Sequence, residues 1–313
     1  MGAARGAGRA GGVPPAQREG GLAVALLQSS HWPFLIDVYF FLGGLAAGAF
    51  VIATVANLLD SVRFRDTVRV GYYVAFIALI PCPLILIVDL GVPTRFLNML
   101  RTFNVLSPMS MGAWALLLFS ACAALAALFT FLQDTGKARD LAGPLTVVGV
   151  VGSLVGFFLA AYPGVLLGAT ARPLWTNGHA LGALFLAVGA SSGAAAIALI
   201  LALLRGRAGD SIARLNTATV MALLVQALAV IVFVVSLSAS GSVASTHALR
   251  QLVGGPYSLM FWLGAVVVGL VAPLAIGIMG MRRPSLGLTA VASVLVLVGG
   301  FLVKTVIMAA GQA

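Results

Sequence analysis

The sequence predicts an all-α polytopic membrane protein of about eight transmembrane helices, and two observations carry that reading. Of 313 residues, 61% are hydrophobic and only 8% charged, with a mean hydropathy of +1.11, whereas a soluble domain carries about a quarter charged residues. Apolar runs of about 18 residues or more recur along the chain. Each is long enough to cross a hydrocarbon core of roughly 30 Å as a helix whose backbone hydrogen bonds are all internal.

Residues 1–30, rich in Gly, Ala and Arg without a long apolar core, are predicted to be a disordered tail. Spans follow near 34–58, 70–90, 111–132, 143–163, 178–204, 216–239, 258–280 and 285–310. The longest connection, Asp89 to Ser110, mixes Pro93, Arg95, Arg101 and Pro108 with Phe96, Leu97 and Phe103. That mixture predicts a short amphipathic segment at the membrane surface.

A formal net charge of +10 would suggest nucleic acid in a soluble protein. Here the basic residues sit in short loops and report topology instead. Arg63, Arg65, Arg69, Lys137, Arg139, Arg205, Arg207, Arg214, Arg282 and Arg283 fall at one end of the spans, and Arg95, Arg101, Arg172 and Arg250 at the other. The positive-inside rule makes the first end cytoplasmic and puts both termini outside. A faint internal repeat has an offset of about 145, placing Gly44 and Gly48 on Gly189 and Gly193, Phe40 on Phe185 and Ile52 on Ile197. Either two parallel four-helix halves or a chance alignment of small residues would give it.

Ionisable groups within a bilayer are costly and so mark candidate chemistry. Asp37 lies one turn into the first span, Asp89 closes the second, and Lys304 and Gln226 lie within later spans. Asp37 and Asp89 read as proton acceptors, or else as helix-end carboxylates, with Asp89 paired to Arg95 or Arg101. Lys304 reads as a side chain that snorkels outward. His31, His179 and His247 all fall at the outer edge, where they cannot bracket haems between facing helices. His31 suits hydrogen bonding to a quinone carbonyl, or is an interfacial histidine without a role. Tyr162 could donate to a quinone oxygen or join the interfacial aromatic belt. Cys82 and Cys122 lie in apolar runs without CxxC spacing and read as buried apolar residues. Phosphate loops, HExxH, GxSxG and metal-ligand clusters are absent, so terminal substrate chemistry would come from another polypeptide.

Three segments together, YFFLGGLAAGAF at 39–50, DLGVPTRFLNMLRTFNVLSPMSMGAW at 89–114 and YPGVLLGATARPLW at 162–175, resemble the signature segments of the NrfD/PsrC membrane subunits. The resemblance is strongest over the first four spans. It implies two four-helix bundles, 31–176 with the quinone site and 177–313, in a bacterial inner membrane. It also implies a menaquinone or ubiquinone bound near the outer face, with no haem or iron–sulfur cluster in this chain. The implied partners are an iron–sulfur subunit with several four-iron clusters and a molybdopterin catalytic subunit or multihaem cytochrome. Carried over residue by residue, it makes Tyr162 and His31 quinone contacts and sets Asp89 and Arg95 on the pocket border. Asp89 and His31 would handle protons, and Arg172, in the loop after Tyr162, is expected among the quinone-binding residues. Pro163 and Asp37 depart from the family pattern. Activity is then expected only within a complex. Two other readings stand beside this one: a secondary transporter or proton-translocating module, suggested by the repeat, Lys304 and Gln226, and a purely structural anchor.

Overall fold

The computed structural model describes residues 32–90, 94, 101, 103–105, 107–137, 141–204, 209–282 and 285–312. Eight helices in it are long and apolar enough to span a membrane: α1 Phe34–Asp60, α2 Arg65–Asp89, α3 Pro108–Asp134, α4 Ala142–Gly168, α5 Leu181–Leu203, α6 Ser211–Ala239, α7 Met260–Arg282 and α8 Leu286–Gln312. No strand occurs among the described residues. The expected tail, His31, Arg95 and most of the Asp89–Ser110 connection lie outside them.

Local chemistry explains several helix boundaries and breaks. Pro108 opens α3 at a position where its missing N–H costs nothing, and the Ser107 hydroxyl accepts from the Ser110 N–H at 3.4 Å. In α2 the regular helix stops at Leu79 and restarts at Pro81, because Pro81 cannot donate back to the previous turn. Pro163, by contrast, sits inside α4 without ending it. In α7 the backbone runs as a π-helix over Met260–Val271 and returns to α geometry at Ala272–Arg282.

The interior is built around α1 and α5. Of their apolar windows, 67% and 78% is buried, against 33–39% for the other six spans. The reason is the run of small residues that lets the two backbones meet. A methyl on Gly189 would stand 2.8 Å from the Gly44 carbonyl oxygen, one on Gly48 would strike the Gly189 carbonyl, and one on Gly193 would strike Gly48 and Ala49. Such close approach maximises dispersion contacts where lipid removes the hydrophobic driving force. The glycines that an offset of 145 aligns in sequence are therefore packed against one another. The neighbour pattern repeats too: α1 packs on α2 and α4, and α3 on α2 and α4, while α5 packs on α6 and α8, and α7 on α6 and α8.

Arg65, Arg69 and Arg214 gather at one end of this bundle. Arg69 Nε lies 2.8 Å and Arg65 Nη2 3.4 Å from Asp134 at the end of α3, and the Tyr73 hydroxyl donates to the same carboxylate at 3.1 Å. The Arg214 guanidinium lies 5.2 Å from the centre of the Phe64 ring, a cation–π contact that ties α6 to the α1–α2 turn.

Candidate functional site

At the opposite end, four spans bring polar and aromatic groups together around Tyr162. It is 5% exposed and rests directly on Gly112, the fifth residue of α3, where any Cβ would strike the Tyr162 ring and hydroxyl. The phenol thus lies near the N-terminal, positive-dipole end of a long helix. Phe158, one turn earlier on α4, has its ring 6.0 Å from that of Tyr162. From α1 comes Tyr39, buried and within electrostatic range of Tyr162. From α2 comes Cys82, whose S–H points at the carbonyls of Ala78 at 3.6 Å and Tyr39 at 4.0 Å.

Through Phe158 the cluster neighbours an apolar groove between α3 and α4 of about 750 Å³, with Phe103 and Trp114 also among its lining. Phe103 and Trp114 meet edge to face at 5.8 Å. Ser110 accepts from the Asn104 N–H at 3.1 Å and holds the incoming backbone against α3. An apolar groove beside a buried hydroxyl suits an amphipathic ligand with an apolar tail and a polar ring.

The other expected residues are placed as follows. Asp89 is the last residue of α2 and is exposed. Its expected pairing with Arg101 is not formed, and it makes no ion pair among the described residues. Arg172 lies just before a one-turn helix, Pro173–Thr176, and donates to the Gln312 carbonyl at 3.3 Å. Beside it the buried Trp175 donates to the Ile307 carbonyl at 2.9 Å, so both bonds lay the 172–176 segment on the end of α8. His179 and His247 are placed outside the buried interior, in the segments that join the spans. A surface helix not anticipated from the sequence, Val243–Val253, is held through a 2.6 Å bond from Asn177 to Ser245.

Two further buried ionisable groups, Asp37 and Lys304, lie in α1 and α8. Asp37 is 6% exposed and has no hydrogen-bond or ion-pair partner among the described residues. Tyr39 is two residues on, about 200° round the helix, whereas Gly44 is seven residues on and shares the Asp37 face. Asp37 therefore faces away from the Tyr162 cluster. Lys304 does not snorkel outward: it is fully buried, and Nζ donates to the Phe40 carbonyl at 2.5 Å and lies 5.0 Å from the Phe185 ring centre. Helical side chains lean toward their own N-terminus, which for α8 is deeper into the bundle. Gly44, lacking a side chain, leaves room there.

Residues 24–313 match the family described as Polysulphide reductase, NrfD. The protein belongs to this family. A polypeptide of the polysulfide reductase of Wolinella succinogenes is 29% identical over 303 residues, covering 90% of this chain and 94% of the relative. Protein NrfD of Escherichia coli is 27% identical over 310 residues, covering 91% and 96%. A selenate reductase subunit of Mesobacillus selenatarsenatis is 30% identical over 96 residues, covering 31% and 22%. The NrfD match extends through all eight spans, well beyond the segments whose motifs are recognisable by eye. It makes this a multi-pass membrane protein of a family that supplies membrane subunits to reductases.

Proposed function

We propose that the protein is the quinone-binding membrane subunit of a respiratory reductase, exchanging electrons with an iron–sulfur partner at the end of the bundle that carries Tyr162. The observation that supports this reading best is the Tyr162 hydroxyl, buried on Gly112 next to Phe158, which lines an apolar groove between α3 and α4. A bound menaquinone or ubiquinone supplies a two-electron, two-proton couple that no side chain here provides. Tyr162 Oη donates a hydrogen bond to a ring oxygen, and its seat on Gly112 orients it. The Asp89 carboxylate, exposed at the end of α2, exchanges protons with water. His31 and Arg95, outside the described residues, complete the proposed site. Arg172 keeps the segment after Tyr162 in place through Gln312. On this reading that end is periplasmic, a catalytic subunit lies beyond the iron–sulfur subunit, and the arginine-rich end faces the cytoplasm of a bacterial inner membrane.

The test is Tyr162→Phe in the assembled complex. Quinol-linked turnover is expected to fall about tenfold or more, with subunit assembly and dye-linked activity of the catalytic partner unchanged. Unaltered quinol-linked turnover would leave the protein as an anchor only.

A second reading, proton translocation through this protein, is favoured by buried polar groups in α5, α6 and α8. Ser191 donates to Gln226 at 2.8 Å, and Lys304 is buried on α8. The Ser192 hydroxyl, 2.6 Å from where a Gly300 Cβ would stand, has no hydrogen-bond partner among the described residues. Acidification by proteoliposomes holding the complete complex, lost in Gln226→Leu while quinol turnover continues, would support it.

A further inference from the structure

The arginine-rich end carries two grooves that the 145-residue offset maps onto each other. One, of about 540 Å³, lies between α2 and α5, with Asp66 and Arg69 facing Ile200 and Leu204. The other, of about 500 Å³, lies between α1 and α6, with Ser211 and Arg214 facing Val55 and Leu59. At that offset Arg69 falls on Arg214, Asp66 on Ser211, Val55 on Ile200 and Leu59 on Leu204. The same offset also aligns Gly44 with Gly189 and Gly48 with Gly193, which meet where α1 crosses α5. Each groove has the same plan: an arginine at the mouth and an aliphatic wall running into the bilayer.

Their electrostatics differ. Arg69 is neutralised by Asp134 at 2.8 Å, and Asp66 lines its groove. Among the described residues, no acidic residue lines the α1–α6 groove. Arg214 lies over the Phe64 ring and makes no ion pair among the described residues. Asp60, at the end of α1, is occupied by the N–H groups of Val62 at 3.1 Å and Arg63 at 2.9 Å. An independent feature marks the same groove: Thr67, 3% exposed, lines it with a hydroxyl that has no hydrogen-bond partner among the described residues. A helical threonine ordinarily bonds back to the preceding turn, so this hydroxyl keeps an unused hydrogen bond beside the groove.

We propose that the α1–α6 groove is a phospholipid site selecting an anionic headgroup. The phosphate sits at Arg214 and the Thr67 hydroxyl, and an acyl tail lies along Ile52, Val55 and Leu59. The aliphatic wall commits the site to a lipid rather than to free phosphate. The charged, planar guanidinium over Phe64 supplies the headgroup selectivity. This assignment is independent of the quinone reading.

The experiment is native mass spectrometry of the purified, delipidated protein titrated with phosphatidylglycerol and with phosphatidylcholine. One phosphatidylglycerol per protein is expected to be retained in preference to phosphatidylcholine. Arg214→Gln should weaken that binding about fivefold or more, Thr67→Val should weaken it less, and Arg69→Gln should leave it unchanged. Equal retention of the two lipids, wild-type binding by Arg214→Gln, or displacement by excess inorganic phosphate would overturn the proposal.

Discussion

Lys304 of α8 donates to the backbone carbonyl of Phe40 on α1 at 2.5 Å, bridging the first and last spans in the protein interior. Burying an ammonium costs several kcal/mol that one carbonyl and one aromatic face offset only in part. The aliphatic stem, however, fills the space left by Gly44. Lys304→Met, which keeps the stem, is expected to change stability by about 1 kcal/mol or less, or to raise it. Lys304→Ala, which leaves a cavity, is expected to cost about 2–4 kcal/mol. Thermal unfolding of both variants in one detergent decides the matter. Equal losses would assign the contribution to the ammonium rather than to the stem.

Tyr162 and Gly112 form a matched pair, since the ring occupies the place of any side chain at 112. Gly112→Ala is expected to displace the phenol, at a cost of about 1–3 kcal/mol for overpacking, and to reduce quinol-linked turnover as Tyr162→Phe does. Gly143→Ala, near the start of α4 where a methyl meets nothing within 4 Å, serves as the control. Full turnover in Gly112→Ala would separate Tyr162 from quinone chemistry.

The α1–α5 crossing is an unforgiving contact, because backbone meets backbone and there is no rotamer to change. Gly193→Ala and Gly48→Ala should each lower stability by about 2 kcal/mol or more. Folded yield and thermal unfolding in detergent measure it. Wild-type stability in both variants would mean that the helices can separate without loss.

The two arginine-headed grooves differ by their carboxylates, which suggests a gain of function. The double variant Asp66→Ser and Asp134→Asn gives the α2–α5 groove the character of its counterpart, with Arg69 released from its 2.8 Å pair. It is expected to retain a second phosphatidylglycerol in the native mass spectrum. Since Arg65 and Arg69 are exposed but Asp134 is 12% exposed and also accepts from Tyr73, the loss of stability should be about 1–2 kcal/mol. A single bound lipid would show that the freed arginine alone does not make a site.

The helical architecture was legible because hydropathy over 18 or more residues is a local property, and lipid allows few other backbone solutions. Each of the eight predicted spans overlaps an observed helix, with ends shifted by a few residues, as where Pro108 and Ser107 open α3. Family membership was legible too, from the mixed segment 89–114, because charged, proline and aromatic residues in fixed order are far less degenerate than a run of leucines. Tyr162 could be singled out as a hydroxyl in an apolar span, but neither Gly112 nor Tyr39 could be paired with it. A glycine signals only that something comes close, without saying what.

The sequence alone determined how many times this polypeptide spans the membrane, which end of each span is basic, and which residues are too polar for lipid. Tertiary structure decided what those polar residues meet. Lys304 turned inward because its side chain leans toward the start of α8 and Gly44 leaves space there, while Asp37 and Tyr39 parted because two residues of helix place them on nearly opposite faces. It also decided that Arg69 pairs with Asp134 while Arg214 makes no ion pair among the described residues, although both occupy the same place in the repeat. Hydropathy and charge are summed along the sequence, but neighbours are set by the facing surfaces of helices distant in sequence, and only packing selects those.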